Sequence, residues 1–288
     1  MSVVSTTQDC VSEREYHVPP VSKTARTNAH LVAQGSMQDT LISSQTTARR
    51  GELKYLLDKR RYIDLLSQIR PYIEFDEHPL SQISSLYLDA RQNAMVRRSL
   101  EKPRYKEKLR IRSYSSSPGP EDRCFLEIKK KYRGVVYKRR VEMSYAEALH
   151  FCNTKQFPEE TLSLLTKADY EKAIQVLREV EWLFVQYGDV VPSFTVNCNR
   201  TSYKEIKTES LRITFDSDIC WSHESVKDGR GYVGVPLIAP GARIMEIKST
   251  KGLPEWLIAA LRELCIYPQS FSKVGSSYRE WLKQEKGC

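Results

Sequence analysis

The chain has 288 residues, of which 40% are hydrophobic and 28% charged, so it is long enough and apolar enough to bury a sizeable core. It contains no run of 18 apolar residues, which argues against a membrane-spanning helix, and its first residues lack the pattern of a signal peptide. The predicted location is therefore the cytoplasm. Seven scattered cysteines without a Cys-x-x-Cys pair argue against a zinc site or a disulfide framework, so we expect reduced thiols.

The formal net charge is +9, from 45 Lys and Arg against 36 Asp and Glu. Residues 1–48 carry three basic and four acidic side chains, so the positive excess belongs to the rest of the chain. Such an excess favours a polyanionic partner, which could be nucleic acid, a phosphorylated ligand or an anionic membrane. A surface that only keeps the protein soluble would give the same composition.

Three regions are predicted along the chain. Residues 1–48 are rich in Ser, Thr, Gln and Asn without sustained periodicity, and they are predicted to be a disordered leader. Residues 49–283 are predicted to form one domain, and residues 284–288 a tail.

Within the domain, eight stretches have the alternation or the β-branched and aromatic content of strands. In chain order they are "GELKYLL" (51–57), "ISSLYLDA" (83–90), "YKEKLRIRSY" (105–114), "CFLEIKKKYRG" (124–134), "GVVYKRRVEMS" (134–144), "PSFTVNCNRTSYKE" (192–205), "LRITFDSDICW" (211–221) and "ARIMEIKST" (242–250).

Helical spacing separates several of these strands, and Asp58 is a plausible N-cap for the first helix. The predicted helices are 58–73, a short one around 93–100, 144–151, the stretch 159–187, and 254–264, with "SFSKVGSSY" (270–278) preceding a short terminal helix. Antiparallel strands with inserted helices predict an α+β fold with a closed or nearly closed barrel rather than a βαβ sheet.

One face of nearly every predicted strand is charged, because side chains two residues apart share a face. The residues concerned are Lys108, Arg110 and Arg112, then Glu127, Lys129 and Lys131, Lys138 and Arg140, Arg200, Arg212 and Asp216, and Glu246 and Lys248. In one interpretation these faces lie in solvent over an apolar core, which is the common situation for any single strand. In the other they line the inside of a wide barrel, and the apolar faces pack beneath the helices.

The spacing Glu-x-Lys recurs at Glu52, Glu127 and Glu246, each followed by a lysine two residues later. Lysine and arginine bind phosphate, whereas a hard divalent ion takes one or two protein carboxylates and completes its coordination with phosphate oxygens. Glu-x-Lys on a strand therefore places a metal ligand beside a phosphate ligand, as a complex of metal and triphosphate requires.

With these motifs the sequence resembles the triphosphate tunnel metalloenzymes of the CYTH superfamily, and more narrowly the vacuolar transporter chaperone (VTC) domain of its polyphosphate polymerase branch. The resemblance covers about residues 49–283. It rests on "ELKY", "KLRIRSY", "FLEIKKK", "YKRR", "NRTSY", "RITFD", "MEIK" and "SFSK" in this order.

The resemblance implies an eight-stranded antiparallel tunnel barrel that transfers the γ-phosphate of ATP to the end of a polyphosphate chain, with Mn²⁺ or Mg²⁺ as cofactor. It implies a catalytic group of Arg110, Arg112, Lys129, Arg200 and Lys273. The substrate-binding residues would be Lys54, Lys108, Lys138, Arg140, Arg212, Lys248 and Ser272. Glu246 would be the leading metal ligand, with Glu52 and Glu127 as further ligands, and Asp216 would orient a basic neighbour or assist the metal.

The sequence departs from the superfamily pattern at two positions. Hydrolytic members carry Glu-x-Glu-x-Lys at the first strand, where this chain has Arg50 in place of the first glutamate, which favours the polymerase branch. The branch often has a Lys or Arg at the position of Ser270, so one phosphate contact is expected to be missing.

Two alternatives stay open. The first is a triphosphatase on the same barrel, with water as the acceptor. The second is a non-catalytic module that binds a polyanion; Tyr105, Tyr114, Tyr132 and Tyr137 alternate with the basic residues, as they would in a protein that stacks RNA bases. The expected ligands are ATP and polyphosphate, without a specific nucleic acid.

Overall fold

A computed structural model describes residues 51–286 except 134, 209 and 224–233. The predicted leader, residues 1–48, lies outside the described residues. In the described part of the chain there are nine strands and seven α-helices. The strands are β1 (Gly51–Leu57), β2 (Ile73–Ala90), β3 (Tyr105–Ser113), β4 (Arg123–Tyr132), β5 (Val135–Ser144), β6 (Val190–Glu205), β7 (Leu211–His223), β8 (Val235–Pro236) and β9 (Arg243–Ser249).

The helices lie between these strands or after them, and we number them in chain order. They are α1 (Lys59–Ile69), α2 (Ala94–Leu100), α3 (Tyr145–Thr154), α4 (Glu159–Ser163), α5 (Lys167–Tyr187), α6 (Glu255–Glu263) and α7 (Lys273–Lys286). Short 3₁₀ turns, Arg70–Tyr72 and Arg91–Asn93, precede β2 and α2.

The strands form one antiparallel sheet in the order β1-β9-β7-β6-β2-β3-β4-β5, with the two-residue β8 paired to β7. Six strand-to-strand steps of about 4.8 Å would put β1 and β4 about 29 Å apart in a flat sheet. Yet Lys129 of β4 forms an ion pair with Glu52 of β1 at 3.6 Å. The sheet must therefore curl until its ends approach, although hydrogen bonding between the described strands leaves it open between β1 and β5.

The convex face of the curled sheet is apolar and is covered by helices. One cluster, which includes Leu109, Leu126 and Ile128, packs β3 and β4 beneath α3 and α5. A second cluster packs β1, β7 and β9 beneath α1 and α6. Since the apolar side of the strands is buried on the outside, the charged side faces the concavity. This arrangement confirms the second interpretation of the charged strand faces.

A third cluster lies on the concave face and fills part of it. Phe194 of β6 and Tyr87 of β2 pack there against Val274 and Tyr278 of α7. Near its start α7 passes close to α2, because a Cβ on Gly275 would come within 3.0 Å of the Leu100 side chain. Glycine at this position therefore allows α7 to enter the concavity.

The predicted α+β fold and all eight predicted strands are confirmed, and so is Asp58 as N-cap of α1, where it accepts a bond from the Arg61 amide at 2.8 Å. The two-residue β8 was not predicted, and three further details differ. β2 begins at Ile73, ten residues before the predicted strand, because it pairs along this extension with the end of β6. The helical stretch 159–187 is divided into α4 and α5, with Thr166 capping α5.

The third difference is the start of the terminal helix. It was predicted to follow Tyr278, but α7 begins at Lys273, since the Ser272 hydroxyl accepts a hydrogen bond from the Gly275 amide at 3.1 Å, as an N-cap does. The helix continues to Lys286, so the first three residues of the predicted tail, 284–286, are helical.

The five described cysteines are free thiols. No helix within the described ranges is long and apolar enough to cross a membrane.

Candidate functional site

The concave face collects the basic residues singled out in the sequence, because the antiparallel register brings their rows side by side. Lys54 of β1 lies opposite Glu246 of β9, and Lys129 of β4 lies between Lys108 of β3 and Lys138 of β5. The predicted site residues on this face, together with Asp216, are Glu52, Lys54, Lys108, Arg110, Arg112, Glu127, Lys129, Lys138, Arg140, Arg200, Arg212, Glu246 and Lys248, with Ser272 and Lys273 reaching it from the start of α7.

Glu127 binds two cations of this surface and is almost inaccessible, with 2% of its side chain exposed. Its Oε2 accepts from Arg110 Nε at 2.7 Å, and its Oε1 lies 2.8 Å from Lys138 Nζ. Burial would raise the pKa of Glu127, but the charges of Arg110, Lys138 and Arg112 outweigh it and hold the pKa well below its ordinary value. An ionised Glu127 therefore fixes two cations of the concave face in position.

Arg112 differs from Arg110, its neighbour on β3, because no carboxylate in the described part of the chain pairs with it. The residue is 8% exposed, its Nε has no hydrogen-bond partner, and its guanidinium lies 5.1 Å from the Tyr114 ring centroid. Burial and the charge of Arg110 lower the pKa of Arg112. Arg140 stacks in a similar way over Phe125, at 4.2 Å. A buried guanidinium without a counter-ion is costly, which points to an anionic ligand.

A second buried carboxylate, Asp216 of β7, joins two more predicted residues. Arg200 Nε and Nη2 donate to its two oxygens at 2.6 and 2.8 Å, and the Lys273 ammonium forms an ion pair with it. Lys273 Nζ also lies 3.3 Å from Cys198 Sγ. Of the two roles predicted for Asp216, this geometry favours the orientation of basic neighbours.

Lys108 connects the wall of the concavity to the start of α7. Its Nζ donates to Ser272 Oγ at 2.8 Å. Burial lowers the pKa of Lys108 to about 7, and the nearby charges of Lys129 and Lys54 contribute to the shift. Burial also lowers the pKa of Lys138, to about 8, despite its contact with Glu127. Both amines can therefore change charge near neutral pH.

Glu52 and Glu246 lie close together on β1 and β9, each in contact with lysines. Lys54 Nζ is 3.2 Å from Glu52 and 3.8 Å from Glu246, and Lys248 Nζ is 3.1 Å from Glu246. Burial raises the pKa of both acids, and their mutual repulsion raises that of Glu52, yet the surrounding cations hold both pKa values below the ordinary range. Both are thus carboxylates at neutral pH.

These two carboxylates fit a divalent ion that takes its remaining ligands from phosphate, since Mg²⁺ and similar ions commonly use one or two carboxylates together with substrate oxygens. In the ranges that the structure describes, no group of three or more Asp, Glu, His or Cys could hold a metal without such help. Glu127 is not part of the pair, because Arg110 and Lys138 hold its two oxygens at 2.7 and 2.8 Å, whereas the lysines around Glu52 and Glu246 stand off at 3.1–3.8 Å.

Arg212 lies at the rim of the concavity. It forms an ion pair with Asp76 at 2.6 Å, and 52% of its side chain is exposed. Sequence reasoning did not find Asp76, because the residue belongs to the extended part of β2. It also missed Tyr87, whose hydroxyl accepts a hydrogen bond from Arg110 Nη1 at 3.4 Å. The only sequence signal for this residue is its place in the alternating pattern of the strand.

A curled antiparallel sheet whose concave face carries unpaired and acid-anchored cations beside two glutamates has the architecture of a tunnel protein and a charge that suits a polyanionic ligand. The profile of the VTC domain family matches residues 49–282, which is most of the chain. The chain therefore belongs to the VTC domain family, and the resemblance seen in its strand motifs is confirmed.

Two solved structures similar to this chain are both candidate adenylate cyclases. One, from Bacillus halodurans, is 16% identical with a TM-score of 0.45, and the alignment covers 77% of this chain and 92% of that one. The other, from Vibrio parahaemolyticus, is 13% identical with a TM-score of 0.37, covering 81% and 97%. A comparison with curated proteins finds no match.

Proposed function

We propose that the chain is a metal-dependent polyphosphate polymerase that transfers the γ-phosphate of ATP to the end of a polyphosphate chain inside the tunnel. The observation that carries this proposal is the cation surplus of the concave face, above all the buried, acid-free guanidinium of Arg112. Membership of the VTC domain family supports the same reaction through the resemblance to its polymerase branch.

The proposed reaction is a phosphoryl transfer between two polyphosphates. An oxygen of the terminal phosphate of the acceptor forms a bond to the γ-phosphorus of ATP, the bond from that phosphorus to the β,γ-bridging oxygen breaks, and ADP leaves. The attacking oxygen is already anionic, so no general base is needed. The concave face provides positioning and charge neutralisation, which are the main contributions to catalysis in phosphoryl transfer.

The basic residues fall into two groups according to the buried carboxylate that holds them in place. Arg110 and Lys138 are fixed by Glu127, whereas Arg200 and Lys273 are fixed by Asp216. Each pair can hold phosphate oxygens without first having to be ordered. A bound Mn²⁺ or Mg²⁺ would supply further positive charge at the phosphates, held by Glu52 and Glu246.

The experiment that tests the proposal is incubation of the full chain with ATP and Mn²⁺, with and without a short polyphosphate primer. Products are resolved on a polyacrylamide gel beside assays for ADP and free phosphate. We expect a ladder of lengthening chains, ADP in proportion to the phosphate incorporated, and little free phosphate.

Two other outcomes would contradict the proposal, each in favour of an alternative. Free phosphate without a ladder would identify a triphosphatase. Neither product, together with measurable binding of polyphosphate, would identify a binding module.

The metal requirement should depend on Glu246, of whose side chain 12% is exposed. Glu246→Gln is expected to raise the Mn²⁺ concentration for half-maximal rate at least about tenfold, because one of two carboxylate ligands is lost. Electron paramagnetic resonance of Mn²⁺ in the presence of inorganic triphosphate checks the binding directly. Glu263→Gln, at the end of α6, is the control and should leave both measurements unchanged.

The affinity for inorganic triphosphate should fall as pH rises through neutrality. Lys108, whose pKa is about 7, loses its charge in this range, and Lys138 follows at about 8. We expect a decrease of roughly three- to tenfold between about pH 6 and 8. In Lys108→Arg the change should be smaller, since arginine stays charged. Calorimetric titrations at several pH values measure it, and identical profiles of the two proteins would refute the assignment.

A further inference from the structure

Two neighbouring strands carry four lysines in directly opposed pairs. Lys108 of β3 lies opposite Lys129 of β4, and one row further Lys106 lies opposite Lys131. We call these four residues the lysine ladder; its rows are about 7 Å apart along the strands. Like charges placed opposite each other on adjacent strands destabilise a sheet. A function outside folding must therefore account for both rows.

The inner row belongs to the candidate site already described. Lys129 has Glu52 as a partner at 3.6 Å, and Lys108 donates to Ser272. Both are among the residues expected to contact phosphate.

The outer row lies outside that site. No carboxylate in the described part of the chain pairs with Lys106 or Lys131. Lys131 is exposed, whereas Lys106 is partly buried and donates to the Ser99 carbonyl at 3.3 Å, in the last turn of α2. Burial lowers the pKa of Lys106, and the charges of Lys131, directly opposite, and of Lys102 lower it further.

We propose that Lys106 and Lys131 bind the part of a polyphosphate chain that extends beyond the tunnel. This inference rests on the proposed function for the identity of the ligand. The outer row continues the inner row on the same face of the same two strands, so a linear polyanion held by Lys108 and Lys129 can run directly onto it. A triphosphate centred deeper in the tunnel, at Arg110 and Arg112, lies two and three rows from Lys106, at about 7 Å per row, and so gains little from the outer row.

The site would therefore distinguish long acceptor chains from short ones. Tyr132 and Tyr137 are exposed tyrosines of the hairpin formed by β4 and β5. Tyr132 is next to Lys131 on β4 and Tyr137 lies opposite Lys130, so both point to the opposite face of the sheet from Lys131. Base stacking beside the ladder is thus not favoured by the geometry, and polyphosphate fits it better than RNA.

The test compares the full-length wild-type chain with the double variant Lys106→Gln/Lys131→Gln. Binding of inorganic triphosphate, of a long-chain polyphosphate and of a single-stranded RNA is measured by calorimetry at several salt concentrations. The control is Lys167→Gln/Lys286→Gln, which removes two exposed lysines at the start of α5 and the end of α7. Circular dichroism confirms that each variant is folded.

We expect the double variant to bind the long chain about three- to tenfold more weakly than the wild type, while triphosphate affinity stays the same. The slope of log affinity against log salt for the long chain should become shallower by about 1 to 2. The control should match the wild type with every ligand.

Three results would overturn the inference: unchanged binding of the long chain, an equal loss for triphosphate and long chain, or a loss confined to RNA. The proposed function is judged separately by chain elongation with wild-type protein. If the wild type makes no polymer but binds long chains through the outer row, the proposed polymerase activity is refuted and the outer binding site is retained. If the wild type makes polymer and the double variant binds the long chain as tightly as the wild type, the polymerase stands and the outer binding site is refuted.

Discussion

Arg112→Ala should lower the rate of polyphosphate synthesis about 10²- to 10³-fold, the typical cost of removing a single preorganised donor to a transition state. Arg112 is 8% exposed, and no described carboxylate pairs with it, so its charge is directed at an anionic ligand rather than at the protein. Steady-state rates of ADP release with saturating primer measure the effect. Arg112→Lys, which keeps the charge but loses the bidentate geometry, should give an intermediate rate.

The same substitution should have little effect on folding. Removing Arg112 deletes an uncompensated buried charge together with its stacking on Tyr114, and these contributions oppose each other, so the free energy of unfolding should change by less than about 1 kcal/mol. Arg110→Ala is the informative comparison. It leaves Glu127 buried with one cation fewer and should cost about 3–5 kcal/mol as well as activity.

Urea unfolding of the two variants beside the wild type tests this contrast. A fully active Arg112→Ala protein would contradict the tunnel mechanism. Equal destabilisation by the two substitutions would contradict the assignment of Arg112 to the ligand and of Arg110 to the Glu127 anchor.

The positions of the strands could be predicted from the sequence because alternation is a local property. The stretches around Arg110, Glu127 and Glu246 alternate charged and apolar residues, and each forms the expected strand. Which face turns inward is not local. It depends on the curvature of eight strands and on helices that cover the apolar side, and only the shared pattern of charges across strands favoured the correct interpretation.

Partners across strands were harder to foresee than strand positions. Glu127 was predicted to be a metal ligand because it begins a Glu-x-Lys motif, as Glu52 and Glu246 do, but its register places it between Arg110 and Lys138. The three motifs look alike along the chain and differ only in their neighbours on adjacent strands. Its predicted role as a ligand remains untested, and the geometry favours an anchoring role.

Two elements were misjudged, β2 because a long-range pairing decides it, and the start of α7 because its local capping signal was overlooked. The first half of β2 contains Pro79 and several acids, and it becomes a strand through pairing with β6, with a register shift between Phe75 and Leu80. The start of α7 reads as a loop because of its serines and glycine. Ser272 nevertheless caps the helix, and Gly275 permits its close approach to α2.

Asp216→Asn should strongly destabilise the protein, although it leaves the size of the side chain unchanged. Asp216 has 2% of its side chain exposed and binds Arg200 through both oxygens and Lys273 through one of them. Neutralising it leaves two cations facing each other in a buried place. We expect the free energy of unfolding at pH 7 to fall by about 3–5 kcal/mol, as measured by urea titration.

The matched control is Asp189→Asn on the surface. Asp189 also pairs with an arginine, Arg91, at 2.7 Å, but the two side chains are 56% and 81% exposed. Its loss should cost at most about 1 kcal/mol. The same chemical change in two environments thus compares the stability contributed by a buried ion pair with that contributed by an exposed one.

The loss of stability caused by Asp216→Asn should depend on pH, and the pKa shift of Asp216 determines the direction of that dependence. Burial raises the pKa of Asp216, but Lys273 and Arg200 outweigh it, so the folded pKa lies well below the ordinary value of 3.8. An acid whose folded pKa is depressed stabilises the protein above its unfolded pKa and loses that contribution as pH falls towards the folded value. The wild type and the variant should therefore differ most near neutrality and converge below about pH 4. A difference that stays constant down to pH 3, or one below about 1 kcal/mol at pH 7, would show that Asp216 does not anchor the two cations.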